Sequence, residues 1–518
     1  MKHLMAITVA SWLAVATATA QTSNTPAPNS ASDPSHQAME GMDMSQHGSH
    51  EATTPVHDMH QAIGEQEAPN HANQRLQEPE NPEMHTGASL PAPELLNDVA
   101  ARAPMKLAAF LQLADENNPT LKQAAAIIRR SAAQAKQAGL YPNPSVGYQG
   151  DQIRGGAYGG GEHGAYIAQS IVLGGKLGLR RDIYEEQKKS DEAAAEAQLY
   201  RVHNDVSQSF YKALSAQEIV RVRQRLLHLT LDAVETVHQL ANVGQVDAPD
   251  ILQSEVEAEQ AKVDYTQAQR EFLQDFKILA TLVGRHDLPV SPLEAVLDAP
   301  PEIHTDDIVD HIAQTSPVVQ QAERDVSVAE ARLKDAKRES IPDLVVKAGE
   351  QYSFETVSEI PRRSAGLQSF ATVGIDVPLW NRNQGNKKMA GAEIERAQEN
   401  LQRVKLSLRQ QAEPLVQMYL SSKFEADRYR TQMIPRATRA YELYLKKYQS
   451  MAAAYPQVLV SQRTLFQLQV SYIHALNNVW QSAIALQNYT LKDGLDAPTT
   501  SSTPATINLP YSSGSGTE

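Results

Sequence analysis

After Lys176 no proline interrupts the chain until the turn around Val243 to Pro249. Such a stretch reads as one α-helix of about 65 residues, roughly 100 Å long at 1.5 Å per residue. Within it Leu199, Val206, Ala213, Val220, Leu227, Val234 and Ala241 recur every seven positions, the period of a coiled-coil seam. The residues between them are mixed polar and small, so the helix needs neighbours along a stripe rather than a globular core. Residues 385–448 offer a second helix of similar length. On this feature alone a soluble fibrous coiled coil stays open as an alternative.

The body of the chain is a tandem repeat. Asn118-Pro119 opens a helix, and Ser316-Pro317 does so again about two hundred residues later. Tyr141-Pro142 closes that helix into an extended stretch, and Ile341-Pro342 matches it. Val243-Gly244 to Leu252 corresponds to Ser450-Met451 to Leu459, with Pro249 facing Pro456 and Leu252 facing Leu459. Each half therefore reads helix, β-hairpin, very long helix, turn, second helix.

The first hairpin pairs Ser145 to Tyr148 with Tyr166 to Val172 across the glycine-rich Gly155 to Gly161. In the second, Leu344, Val346 and Ala348 point one way and Asp343, Lys347 and Gln351 the other. On its return strand Ala371, Val373, Ile375 and Val377 share a face, opposite Thr372, Gly374 and Asp376. Period-two alternation suits a barrel wall between lipid and water. It also suits a half-buried soluble hairpin, but two equivalent hairpins set between long helices favour the wall.

Residues 1–20 read as a secretory signal: Lys2 and His3, an apolar run from Met5 to Val15, and a small-x-small site at Ala18-Thr19-Ala20. The run is too short to span a bilayer, and beyond it no run of about twenty apolar residues exists. A membrane crossing would then need a closed β-barrel, which satisfies its backbone polar groups internally. The chain has no cysteine, which excludes disulfides, thiolate metal sites and an acylated cysteine anchor. A formal net charge of -14 argues against a nucleic-acid partner, where a basic face is expected, and is compatible with moving cations. The boundaries expected are 1–20 signal peptide, 21–103 disordered segment, 104–300 first repeat with hairpin 144–173, 301–490 second repeat with hairpin 342–379, and 491–518 disordered tail.

Segment 21–103 is rich in soft donors: His36, Met39, Met42, Met44, His47, His50, His57, Met59 and His60, with Met84 and His85 further on. Thioether sulfur suits Cu(I) or Ag(I), and imidazole suits copper and zinc. Transient capture of Cu(I) or Ag(I) is the reading preferred here, against a polar linker of drifted composition. No cofactor is required.

At the hairpin-to-helix junctions the chain resembles the TolC outer-membrane-factor family, in particular its heavy-metal efflux branch. The resemblance rests on Gln169-Ser170-Ile171-Val172-Leu173-Gly174-Gly175-Lys176 and on Val377-Pro378-Leu379-Trp380-Asn381-Arg382-Asn383-Gln384-Gly385. Tyr141-Pro142-Asn143-Pro144 and Val243 to Leu252 add to it, and together the motifs cover residues 104–490. The resemblance implies a mainly α fold with a small β part. Long helices would form an α-barrel, and four strands per protomer would enter a shared twelve-stranded outer-membrane β-barrel in a homotrimer. The hairpins of the two halves are expected to pair across subunits. It also implies a periplasmic adaptor and an inner-membrane pump as partners, with the barrel held in outer-membrane lipid and the tube extending into the periplasm. Adaptor docking falls on Val243, Gly244, Val246, Asp247 and Asp250, although Gly244 and Pro249 also suit any helix-to-helix turn. Tyr441, Glu442, Tyr444 and Tyr448 are candidates for a closing constriction, or simply pack between helices. The second turn, Ser450 to Pro456, lacks a glycine equivalent to Gly244.

No phosphate loop, dinucleotide fingerprint, His-Glu-x-x-His motif or nucleophile elbow occurs, so the chain reads as a passive conduit rather than an enzyme. Export of drugs or other organic compounds through the same fold is one alternative cargo. A soluble periplasmic copper-binding coiled coil is a second alternative.

Overall fold

The structure, a computed structural model, describes Leu96, Val99 and residues 101–153, 160–450 and 454–498. All lie within the unit His85–Glu518. The first half runs α1 (Leu107–Asn117), α2 (Pro119–Ala138), β1 (Ser145–Asp151), β2 (Glu162–Ile171), α3 (Lys176–Asn242) and α4 (Ala248–Leu282). The second runs α5 (Ile308–Thr315), α6 (Pro317–Arg338), β3 (Leu344–Glu359), β4 (Arg362–Ile375), α7 (Gln384–Arg428), a π-helical segment (Tyr429–Met433), α8 (Ile434–Gln449) and α9 (Tyr455–Gln487). The repeat read from the sequence is therefore the repeat of the fold.

Local chemistry explains where the elements start. Pro119 and Pro317 stand at the first helical position, where no amide hydrogen is needed. Ahead of Pro119, the Asn118 side chain accepts the Thr120 amide at 2.9 Å, satisfying one of the free donors of the new helix.

Helix α3 spans 67 residues without a break. Along its seven-residue series Val206, Ala213 and Val220 are buried, while Leu199, Leu227, Val234 and Ala241 are half-buried. It packs against α2, α4, α6 and α9. Its counterpart departs from the single rod expected: α7 and α8 are joined by five π-helical residues, with Pro435 as the second residue of α8. Proline supplies no amide to the ladder, and a π turn is one of the ways a long helix absorbs such a defect.

The apolar core sits where the short helices α1 and α5 wrap the long ones. Phe110 of α1 lies 5.7 Å from Phe210 of α3 and 6.0 Å from Phe276 of α4, ring centre to ring centre. The Tyr211 ring stacks on Trp480 at 3.6 Å. In α7, Tyr419 is buried and its hydroxyl donates to the Pro301 carbonyl at 3.1 Å.

The four strands form one antiparallel sheet in the order β1-β2-β3-β4. The hairpins of the two halves, expected to pair across subunits, pair first with each other: β2 runs alongside β3 from Ile171↔Leu344 to Glu162↔Ser353. This leaves β1 and β4 as the edges available to another chain. No helix among the described residues is long and apolar enough to cross a membrane.

Candidate functional site

The sheet is two-faced, and its registers define the faces. Val146 and Ile167 lie beside Ala348 and Ala371, Val346 beside Val373, and Leu344 between Ile171 and Ile375. Because side chains alternate along a strand, these residues share one side. It is exposed as well as apolar: Val146 is 78% accessible and Val373 66%. Gln169, Glu350 and Ser369 interrupt the apolar side. Aromatic residues bracket it, with Tyr148, Tyr352 and Phe354 towards the hairpin tips and exposed Tyr141 and Trp380 beside the helices.

The other side carries Gln149, Asp151, Glu162, Tyr166, Lys347, Gln351, Gln368 and Thr372, together with Val345 and Phe370. Its polar groups are joined across strands. Lys347 Nζ donates to Gln149 Oε1 at 2.6 Å and lies 4.0 Å from the centre of the Tyr166 ring. Gln149 Nε2 donates to Asp151 Oδ2 at 2.5 Å, and Gln351 Nε2 donates to Glu162. A wall with a mainly apolar face and a hydrogen-bonded polar face can separate lipid from water.

Both chain exits from the sheet use the left-handed backbone region. Gly175 (φ 72°) precedes α3, and Asn383 (φ 61°) precedes α7. Glycine adopts that conformation freely and asparagine is the side chain most tolerant of it. Asn383 Nδ2 also donates to the Ala336 carbonyl at 2.9 Å, fixing the end of α6. At the first exit, Lys176 is buried and its ammonium lies 2.8 Å from Asp343. This ion pair was not singled out in the sequence, because a charged pair 167 positions apart leaves no periodic trace.

A second group of buried polar contacts binds α2, α3 and α6. Ser131 donates to Asp191, Gln187 donates to Asp191 Oδ1 at 3.1 Å, and Ser190 donates to Asp325 Oδ1 at 2.6 Å. Burial pushes the Asp325 carboxyl up, opposed by the Ser190 hydrogen bond and reinforced by the charge of Asp191. Burial likewise pushes Asp335 up and Arg332 down. Beside them is a cavity of about 460 Å³ in which Arg332 and Arg396 face Asp325 and Glu393. Its lining also includes Arg201 and Arg403, so four guanidinium groups stand against two carboxyls.

At the far end of α3 the helix closes in a Schellman turn. Gly244 (φ 73°) donates its amide to the Ala241 carbonyl and Gln245 donates to Leu240, the pattern that ends a helix at glycine. Val243, Gly244 and Asp247 are exposed, and Val246 and Asp250 half-buried. Opposite, Tyr448 and Tyr455 have ring centres 5.5 Å apart. Burial, then Tyr448, Glu257, Tyr441 and Asp250, push the Tyr455 phenol up to about 12. Burial and then Asp250 push Tyr448 up, and its hydroxyl is buried without a hydrogen-bond partner. The structure thus gathers Asp250, a docking candidate, and Tyr441 and Tyr448, two constriction candidates, around Tyr455. It does not bring Glu442 and Tyr444 into that cluster: both are exposed, Glu442 paired with Arg439 at 3.3 Å. Tyr455 was missed, although its place before Pro456 at a helix start marked the spot.

The donors His36, Met39, Met42, Met44, His47, His50, His57, Met59 and His60 lie outside the described residues, as do residues 1–20, 154–159, 451–453 and 499–518. Among the described residues no group of three or more His, Asp or Glu is placed to hold a metal ion.

Residues 110–285 and 308–490 match the family model described as outer membrane efflux protein. The chain is 23% identical over 388 residues to the cobalt-zinc-cadmium resistance protein CzcC of Cupriavidus metallidurans, covering 74% of this chain and 90% of the relative. It is 24% identical over 379 residues to the probable outer membrane lipoprotein SilC of Salmonella typhimurium, covering 68% and 78%. Among solved structures, CusC, reported for its conformational changes on folding and transmembrane channel formation, superposes with a TM-score of 0.61. It shares 16% identity, with 75% of this chain and 92% of that one covered.

Proposed function

Because this chain belongs to the outer membrane efflux protein family, a family of passive outer-membrane efflux channels and not of enzymes, we propose that it is the outer-membrane conduit of a heavy-metal efflux system. The observation that carries the channel is the sheet with two open edges, one exposed apolar face and one polar face. Four strands cannot close on themselves, and unpaired edges demand further strands. Three copies joined β4 to β1 give twelve strands in a homotrimer, and α3 with its counterpart α7–α8 extends the tube into the periplasm. The soluble coiled-coil alternative is set aside by the family.

The proposed layout keeps the boundaries read from the sequence: a cleaved signal at 1–20, a donor segment at 21–103, two repeats at 104–300 and 301–490, and a tail at 491–518. Without cysteine the anchor is the barrel and not a lipid. Val243, Gly244, Val246, Asp247 and Asp250 dock a periplasmic adaptor, which connects to an inner-membrane pump. Tyr441, Glu442, Tyr444 and Tyr448 line the constriction near the same end. The shared location of Asp250, Tyr441 and Tyr448 supports the pairing of these two roles.

A metal cargo is supported by the resistance named for the Cupriavidus metallidurans relative. Within the metals, the thioethers of Met39, Met42, Met44 and Met59 favour soft Cu(I) and Ag(I) over zinc, cobalt or cadmium, the segment acting as a collector. The test is growth of a deletion strain on copper, silver, zinc, cobalt, cadmium and a drug panel, complemented with the full chain or a chain lacking residues 36–60. Copper and silver resistance should return with the full chain and weaken without the segment. Sensitivity to drugs alone would overturn the metal cargo, and restored resistance to cobalt, zinc and cadmium alone would overturn the choice of ion.

A further inference from the structure

The four places where the sheet meets the helices share a composition unlike the rest of the chain. Residues 136–145, 171–182, 334–344 and 375–388 hold ten Lys or Arg against five Asp or Glu, in a protein whose formal net charge is -14. Three of those acids are already engaged: Asp343 with Lys176, Glu339 with Arg180, and Asp182 with Arg181. Asp335 is half-buried, with its carboxyl pushed up by burial. Lys136, Lys337, Arg338, Arg382 and Lys388 are all exposed and form no ion pair with any described residue.

The helix ends at this junction carry the same bias. The N-terminal end of a helix favours acidic side chains. Yet α3 and α7 both begin at this junction with no acid in the first turn, α3 opening on Lys176 and α7 carrying Lys387 and Lys388 close to its start. Helices α2 and α6 end here with Lys136, Lys337 and Arg338 in their last turns.

The basic residues adjoin the apolar belt. The apolar side of β4 continues through exposed Val377 and Leu379 to Trp380, 87% accessible, and Arg382 comes two residues later. Apolar side chains, then an interfacial tryptophan, then cations is the order in which a bilayer presents acyl chains, interface and headgroups.

We propose that this junction is a docking surface for anionic phospholipid headgroups of the leaflet facing the helices, with Lys337, Arg338, Arg382 and Lys388 as the contacting cations. The inference rests on the reading of the sheet as an outer-membrane wall. Charge complementarity and continuity with the lipid-facing belt select this occupant over a protein partner.

The test is quenching of Trp380 fluorescence in the full chain reconstituted into phosphatidylcholine vesicles doped with brominated phosphatidylglycerol or brominated phosphatidylcholine. A Trp380→Phe chain supplies the background from Trp480, the tryptophan that remains once residues 1–20 are cleaved. Phosphatidylglycerol should bind several-fold more tightly than phosphatidylcholine. The preference should fall towards one in a Lys337→Gln, Arg338→Gln, Arg382→Gln, Lys388→Gln variant and in high salt. Equal quenching by the two lipids, or a preference that survives the fourfold neutralisation, overturns the docking surface while leaving the channel intact. No quenching of Trp380 by either lipid overturns the membrane wall itself.

Discussion

The ammonium of Lys176 lies 2.8 Å from the carboxylate of Asp343, so the exit from the first hairpin is ion-paired to the entry of the second. Asp343 also accepts the Leu173 amide at 3.0 Å. One carboxylate therefore fixes both the backbone leaving β2 and the first residue of α3. The two halves are joined at the point where sheet becomes helix, and the β2–β3 pairing begins directly above it at Ile171↔Leu344.

Lys176→Met should destabilise the assembly by about 2 kcal/mol, read as a lower dissociation temperature of the detergent-solubilised oligomer. Removing one partner of a buried pair costs about 3–5 kcal/mol, and the figure is reduced here because Asp343 is one-third exposed. The double variant Lys176→Met, Asp343→Leu should recover most of the loss, since no unpaired charge remains. A double variant as unstable as the sum of the singles would contradict the pairing.

At the turn between α3 and α4, a Cβ on Gly244 would meet nothing within 4 Å. Gly244→Ala therefore pays only for its left-handed backbone, about 1 kcal/mol, and Gly244→Asn less. Val243→Asp should leave thermal stability unchanged, because that side chain is exposed. If the turn docks an adaptor, the same change weakens adaptor co-purification about tenfold or more, some 1.4 kcal/mol. Undiminished adaptor binding would remove Val243 from the docking surface.

The Tyr448 hydroxyl is buried and unpartnered. Tyr448→Phe should therefore be neutral or stabilising by up to about 1 kcal/mol, since it removes a polar group that gains nothing from burial. A constriction built on ring packing against Tyr455 predicts a further split. Tyr448→Ala should raise conductance in planar bilayers, and Tyr448→Phe should leave it as it was. Equal conductance in all three chains would show that Tyr448 does not constrict the tube.

Much of this architecture is legible in the sequence, because it is periodic. The seven-residue series identifies the buried stripe of α3, with Val206, Ala213 and Val220 inside it. The alternation of Leu344, Val346 and Ala348 against Ile375, Val373 and Ala371 anticipates the observed register, since a period of two fixes the face. Features that depend on which distant elements meet leave no such trace. Neither the choice of β3 as partner of β2, nor Lys176 beside Asp343, nor Asp250 beside Tyr448 and Tyr455 follows from local pattern. The π-helical residues Tyr429–Met433 were hidden for a related reason. Their composition is ordinary, and proline alone does not mark the change of step, since α7 runs unbroken through Pro414 while the π turn falls just ahead of Pro435.

The central claim is that β1 and β4 are seams between copies of this chain. The absence of cysteine permits a direct measurement: Val146→Cys in β1 combined in turn with Ala371→Cys, Val373→Cys or Ile375→Cys in β4, oxidised in isolated outer membranes. At the correct register the account predicts disulfide-linked dimers and trimers on non-reducing gels, and nothing larger, because three copies close the ring. Monomers alone across all three pairs, or an open ladder of higher multimers, would contradict it.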